Sequence, residues 1–83
     1  MEKSVTVLAF ASLREAIGSD RVAMTVNGGS SAGELLSRVC AQYPAVAAYR
    51  KSLRIAVNGE YVDASASVAP GDEVALLPPV AGG

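Results

Sequence analysis

The residue order of this chain predicts an α+β domain, a mixed β-sheet with one main helix packed across one of its faces. Three observations lead there. One segment carries an apolar stripe, Leu35, Leu36, Val39, Cys40 and Tyr43, at helical spacing. Segments before and after it alternate apolar and polar residues with the two-residue period of strands. The dipeptide Asn58-Gly59 joins two of those segments as a hairpin turn.

The first strand is expected over 5–10, with Val5, Val7 and Ala9 on the core face and Thr6, Leu8 and Phe10 on the other. A short helix follows. Ser12 and Glu15 have capping-box spacing, Leu13 and Ile17 share a face, and Gly18 can close the helix in a left-handed conformation. Val22, Met24 and Val26 alternate in a second strand over 21–26, which Asn27-Gly28-Gly29 ends and which pairs antiparallel with the first. The main helix runs over 32–43, with Ser31 and Glu34 as its capping box and Pro44 as its stop. Nothing in 45–52 specifies an element. A strand over 53–57, the Asn58-Gly59 turn and a return strand over 60–62 make a hairpin, and a polar loop follows over 63–69. Pro70-Gly71 suits the centre of a type II turn and leads into a last strand over 74–77.

With 83 residues, 51% of them hydrophobic, and a formal charge of −1, the chain has room for one domain with a modest core and no deep catalytic cleft. It contains no histidine, which removes Ser-His and Cys-His nucleophile pairs and the commonest metal ligand. The single cysteine, Cys40, has no disulfide or CxxC partner and falls within the apolar stripe, the place of a small buried hydrophobe. Self-contained catalysis and a metal site are therefore not expected. Only Arg50, Lys51 and Arg54 cluster among the basic residues, and a solvated loop face explains them better than nucleic-acid binding. No secretory leader and no bilayer-length apolar run is recognisable, so the expectation is a cytoplasmic protein without membrane or nucleic-acid partners.

Gly28-Gly29-Ser30-Ser31-Ala32-Gly33 has the glycine spacing of a phosphate-binding loop. Glu34 and Leu35 stand where such a loop needs a lysine and a hydroxyl, so a turn and a helix cap account for it.

The domain is expected over 1–77 and a tail over 78–83, Pro78-Pro79-Val80-Ala81-Gly82-Gly83. The two prolines fix φ and lack N–H donors, so the last strand cannot continue through them. The remainder is a semi-stiff arm of roughly 20 Å at full extension. Glycine has no Cβ and enters spaces closed to other residues. An unhindered carboxylate on such an arm suggests a carrier whose chemistry occurs inside another protein's active site. A frayed end is the plain alternative.

The face of the sheet opposite the main helix has no second helix to cover it. Val74 and Leu76 share one face of the last strand, so Leu77 lies on the other. If the first and last strands are neighbours, Phe10, Tyr61 and Leu77 form an exposed apolar patch, with Leu8 as a possible fourth member, of the kind that marks protein contacts. The alternative is burial of one or more of them beneath 45–52.

Three stretches carry a family resemblance: Leu8-Ala9-Phe10-Ala11-Ser12-Leu13-Arg14-Glu15 with Gly18, Ala56-Val57-Asn58-Gly59, and the run from Pro70-Gly71-Asp72-Glu73-Val74 to Gly83. The chain resembles the small subunits of molybdopterin synthases, which are ubiquitin-like β-grasp sulfur carriers. Pro78-Pro79 before the tail separates it from the otherwise similar thiamin-pathway carriers. The resemblance implies a ubiquitin-like β-grasp fold with an additional short helix. It implies that an adenylating enzyme similar to ubiquitin E1 uses ATP to activate the Gly83 carboxylate, that a sulfur donor converts it to a thiocarboxylate, and that no cofactor is bound by the chain itself. The tail would then enter the large subunit of a heterotetrameric synthase, where two carriers in succession donate sulfur to precursor Z (cyclic pyranopterin monophosphate) and build the dithiolene of molybdopterin. Gly83 would react and Gly82 would thread. Phe10, Arg14, Tyr61, Leu77, Pro78, Pro79, Val80 and Ala81 would meet the partners, and the catalytic residues would belong to the large subunit. Rival readings are a carrier for thiamin, tRNA thiolation or cysteine synthesis, a ubiquitin-like protein modifier, and an interaction module with an inert tail.

Overall fold

The computed structural model describes residues 3–26 and 30–78. In chain order the elements are β1 (Ser4–Ala9), α1 (Ser12–Ile17), β2 (Arg21–Thr25), β3 (Ser30–Ser31), α2 (Ala32–Gln42), α3 (Pro44–Ala47), β4 (Arg54–Val57), β5 (Glu60–Val62), β6 (Ser67–Val68) and β7 (Glu73–Leu77). A five-stranded sheet has the order β2-β1-β7-β4-β5, and β3 pairs with β6 in a separate two-stranded ribbon. β1 and β7 run parallel, while β1–β2, β4–β5 and β4–β7 are antiparallel. The element order and mixed pairing are those of the expected α+β architecture.

The alternation read from the sequence decides which face is buried. Val5, Val7 and Ala9 of β1, Met24 of β2, Ile55 of β4, and Val74 and Leu76 of β7 all belong to one core cluster. The helices complete it with Leu13 of α1, Ala32, Leu35, Leu36, Val39 and Cys40 of α2, and Val46 of α3. Leu13, Leu35 and Leu76 are among the largest fully buried side chains, each worth about 1.5–3 kcal/mol of burial. Cys40 is a free, buried thiol in this core. Among the described residues no buried side chain is polar or charged, and no helix is long and apolar enough to cross a membrane.

Several local signals act as expected. The Ser31 hydroxyl accepts from the Glu34 N–H at 3.1 Å, and the Glu34 carboxylate accepts from the Ser31 N–H at 2.9 Å, so the α2 capping box is closed. Gly18 closes α1 at φ 87°, and its N–H donates to the Arg14 carbonyl at 2.8 Å. Asn58 and Gly59 both have positive φ, 51° and 86°, as a type I′ hairpin requires. Gly71 has φ 91°, and the Asp72 N–H donates to the Ala69 carbonyl at 3.0 Å across the Pro70-Gly71 turn.

Other expectations are corrected. Ser12 is not a cap. The N-cap of α1 is Ala11, without a side-chain hydrogen bond, and Ser12 is the first helical residue. The first strand ends at Ala9, so Phe10 lies just past it, and the second ends at Thr25. The segment 45–52 is not featureless: Pro44 both stops α2 and opens α3, where its missing N–H would be unpaired anyway. α3 lies against α1 and α2 and drives Val46 into the core. Packing rather than propensity holds so short a helix, which is why periodicity does not reveal it. The loop over 63–69 contains β6, whose Val68 is buried. The Asn27-Gly28-Gly29 turn lies outside the described residues.

Gly33 owes its place to packing and not to phosphate binding. Its N–H donates to the Ala64 carbonyl at 2.9 Å, and a Cβ there would meet the Ala64 Cβ at 3.0 Å and its carbonyl oxygen at 3.1 Å. The first turn of α2 can approach the loop after β5 only without a side chain.

Candidate functional site

Register places a row of small and apolar residues on the face away from the helices. Tyr61 of β5 faces Ala56 of β4, Ala56 faces Ala75 of β7, and Ala75 faces Leu8 of β1. Two strand spacings of about 4.8 Å separate Tyr61 from Ala75, and three separate it from Leu8. One row nearer the end of β7, Leu77 pairs with Arg54. Phe10 follows Ala9, which pairs with Leu76. Because β1 and β7 are parallel and adjacent, both finish at the same end of the sheet. Phe10 leaves one strand there, while Leu77 ends the other.

Phe10 is 44% exposed and Tyr61 68%, whereas Leu8 and Leu77 are half-buried. Burial beneath 45–52 does not occur. That segment packs on the helical side, where Val46 and Tyr49 belong to the core or lean on it. The turn after β1 sets the direction of Phe10. Ala11 has φ 50° and ψ −125°, a strained conformation for a residue with a Cβ, worth about 1–3 kcal/mol. Hydrogen bonds from the Leu13 N–H to the Phe10 carbonyl and from the Arg14 N–H to the Ala11 carbonyl, both 3.0 Å, hold that turn. Leu8, Phe10, Arg14 and Arg21 line a shallow depression of about 260 Å³ that also contains Asp20, so the exposed Arg14 borders the apolar patch.

Arg54 is the member that sequence reasoning missed, having grouped it with Arg50 and Lys51 as a solvated face. It lies on β4 opposite Leu77, and its guanidinium sits over the Tyr61 ring, 5.7 Å from the centroid. Arg54 thereby links the β7 end of the patch to Tyr61. The signal was its spacing, two residues before Ala56 on the same strand face.

The opposite end of β7 is clamped by side chains from the motif that carries the resemblance. The Asn58 amide donates to Asp72 Oδ1 at 3.0 Å, the Ala69 N–H donates to Asp72 Oδ2 at 2.8 Å, and the Glu73 N–H donates to Asn58 Oδ1 at 3.0 Å. The Asn58 N–H in turn donates to the Glu73 carbonyl at 2.8 Å. Hairpin, turn and final strand are thus tied together, and Asn58, Gly71 and Asp72 serve the fold. Donation from the Ala69 N–H, then from the Asn58 amide, holds the Asp72 carboxyl below its ordinary value of 3.8. A carboxyl lowered by folding contributes stability that is fully present above its unfolded value and disappears as pH falls through the lower folded value. The melting-temperature advantage of the wild type over Asp72→Asn is therefore expected at neutral pH and should shrink to nothing as pH drops below 3.8. Thermal unfolding of both proteins across that range checks it, and a pH-independent difference refutes it.

Among the described residues no group of three His, Cys, Asp or Glu side chains could hold a metal ion. Pro78, half-buried, is the last described residue. Pro79, Val80, Ala81, Gly82 and Gly83 lie outside the described residues.

The fold is one that known proteins share. The model of the ThiS family matches residues 7–83. A molybdopterin synthase sulfur carrier subunit from Aedes aegypti is 37% identical over 95% of this chain and 88% of its own length. The crystal structure of SAMP1 from Haloferax volcanii superposes with a TM-score of 0.83 at 31% identity, covering 96% of this chain and 99% of that one. A chain from the complex of subunits 1 and 2 of the molybdopterin-converting factor of Helicobacter pylori superposes with a TM-score of 0.70 at 25% identity, covering 96% of this chain and 99% of that one. The fold is accordingly the ubiquitin-like β-grasp. With a family model spanning nearly the whole chain and a relative of this identity, the chain belongs to the ThiS family.

Proposed function

We propose that this chain is the sulfur carrier subunit of a molybdopterin synthase, with Gly83 as the group that is activated, sulfurated and consumed. The observation that carries the reading is full-length likeness to carriers of that name, 37% identical over 95% of this chain in the Aedes aegypti relative. The described residues add a physical reason. Parallel pairing of β1 with β7 delivers the chain to the tail at the same end of the sheet as Phe10 and Leu77. A partner that grips the patch is then already beside the arm it must receive.

The chemistry follows from the carboxylate. Its oxygen is a poor leaving group, so an adenylating enzyme of the E1 type would join the Gly83 carboxylate to the α-phosphate of ATP and release pyrophosphate. The outer sulfur of a persulfide would attack the acyl carbon and expel AMP. A further thiol would then cleave the sulfur–sulfur bond and leave a thiocarboxylate. In the large subunit, which would supply the acids and bases, the thiocarboxylate sulfur would bond to the pterin precursor, and water would then cleave the acyl–sulfur bond, leaving the sulfur on the pterin and a carboxylate on Gly83. Enclosure beside the substrate supplies proximity and limits hydrolysis. Gly82 would thread the narrow approach, with Pro78, Pro79, Val80 and Ala81 as the spacer, while Phe10, Arg14, Tyr61 and Leu77 bind the partner.

Intact mass after incubation with ATP, an adenylating enzyme and a sulfur donor tests the reading. Exchange of one oxygen for sulfur at the last residue is expected, followed by dithiolene formation when the large subunit and precursor are added. A chain that stays unmodified would refute it. Likeness to SAMP1, with a TM-score of 0.83, favours a second reading as a protein modifier. Lysine-linked adducts of Gly83 would select that reading.

A further inference from the structure

The two edges of the five-stranded sheet are finished differently. On β2, the Ser19 hydroxyl donates to the Arg21 carbonyl at 2.8 Å, and Arg38 of α2 donates to the Thr25 carbonyl. Side chains thus occupy outward carbonyls at both ends of that strand, which blunts it as a template for pairing. Among the described residues no side chain does the same for β5. Asn58-Gly59 is a two-residue turn, so Val57 and Glu60 form the hydrogen-bonded pair and Ala56 and Tyr61 the next, non-hydrogen-bonded one. The Tyr61 N–H and C=O therefore point outward from the edge.

A groove of about 340 Å³ runs beside this edge, between β5 and the first turns of α2. Leu36, Leu53 and Val62 supply apolar lining, and Arg50, Arg54 and Asp63 supply its charges. The Arg50 guanidinium donates to the Ser37 hydroxyl at 2.7 Å, which holds it against α2. The exposed Lys51 follows it. The Asp63 carboxylate accepts from the N–H and hydroxyl of Ser65 and keeps its charge, so the lining carries two cations, Arg50 and Arg54, against one anion, with Lys51 beside them.

We propose that the β5 edge is a docking site for an extended acidic segment of a partner protein. The segment adds as a sixth strand through the Tyr61 backbone, sets alternate apolar side chains against Leu36 and Leu53, and turns the carboxylates between them to the other face, where Arg54 lies over Tyr61. Strand addition draws affinity from main-chain hydrogen bonds and specificity from alternate side chains, and the local charge selects against basic segments. The site goes beyond the sulfur-carrier reading and does not depend on it. Apart from Tyr61 and Arg54, which border both surfaces, it leaves the Phe10 and Leu77 patch uncovered.

The test is nuclear magnetic resonance titration of the full chain with three short capped peptides that alternate valine with glutamate, glutamine or lysine. The glutamate peptide is expected to shift the Tyr61 and Val62 amides, slow exchange of the Tyr61 amide, and bind at least about tenfold more tightly than the other two. N-methylation of its central residue should weaken it about tenfold by removing a ladder donor. The Arg54→Glu variant should reverse the preference toward the lysine peptide. Equal binding of the three peptides overturns the proposal. So do shifts confined to Leu8, Phe10 and Leu77, indifference to N-methylation, or tighter binding of a single-stranded oligonucleotide at the same salt.

Discussion

Deleting Gly83 is expected to abolish sulfur transfer while moving the melting temperature by no more than about 4 °C, the shift produced by about 0.5 kcal/mol in a domain of this size. On the proposed reading the two effects separate because the reacting carboxylate and the core belong to different parts of the chain. Every core side chain among the described residues lies between Val5 and Leu76, and β7 ends at Leu77. Pro78 and Pro79 have no N–H to continue a ladder. Without Gly83 the terminal carboxylate moves to Gly82, one residue short of the reacting position. A shortfall of one residue, about 3.5 Å at full extension, exceeds what positioned attack tolerates. Intact mass reads thiocarboxylate formation, conversion of the precursor reads transfer, and thermal denaturation reads the fold. Dithiolene product from the truncated chain would remove Gly83 from the mechanism. A collapse in melting temperature would show instead that the division between body and tail is wrong.

Phe10→Asp should weaken binding of the large subunit by about 2–4 kcal/mol, roughly 30- to 1,000-fold. Phe10 is 44% exposed, lies at the same end of the sheet as Leu77 and follows a strand whose next turn is held at a positive φ through Ala11. An aromatic ring in that position can enter a partner's pocket with little loss of conformational freedom, as interface anchors do. An aspartate would carry an unpaired charge into a desolvated contact. The fold should survive because Phe10 is outside the core cluster. Calorimetric titration against the large subunit measures the loss, with the thermal melt of the free variant as control. Unchanged affinity would remove Phe10 from the interface.

Much of the fold was legible because its signals are local. Ser31 and Glu34 cap a helix with their own backbone, Asn58-Gly59 and Pro70-Gly71 demand particular φ values, and Val5, Val7 and Ala9 sort themselves by the pleat. Where a local signal competed with geometry, it failed. Ser12 has the spacing of a cap, yet the chain turns one residue earlier, at Ala11. α3 and β6 are too short to leave a periodic trace, and both exist because Val46 and Val68 are buried by distant parts of the chain.

Alternation and helical spacing alone placed Val5, Val7, Ala9, Leu35 and Val39 toward the core, located the hairpin reversal at Asn58-Gly59, and set a Pro-Pro-Val-Ala-Gly-Gly segment after the last strand. Pairing across the sheet, visible in the fold and in no single stretch, sets β1 and β7 side by side and parallel, brings Phe10 and Leu77 to one end of the sheet, and carries Arg54 over Tyr61. The tertiary structure also explained Gly33, whose missing side chain makes room for Ala64. The reason is physical. Turn and cap energies depend on a few consecutive residues, whereas strand neighbours are chosen by burial summed over the whole chain, which no single stretch of it contains.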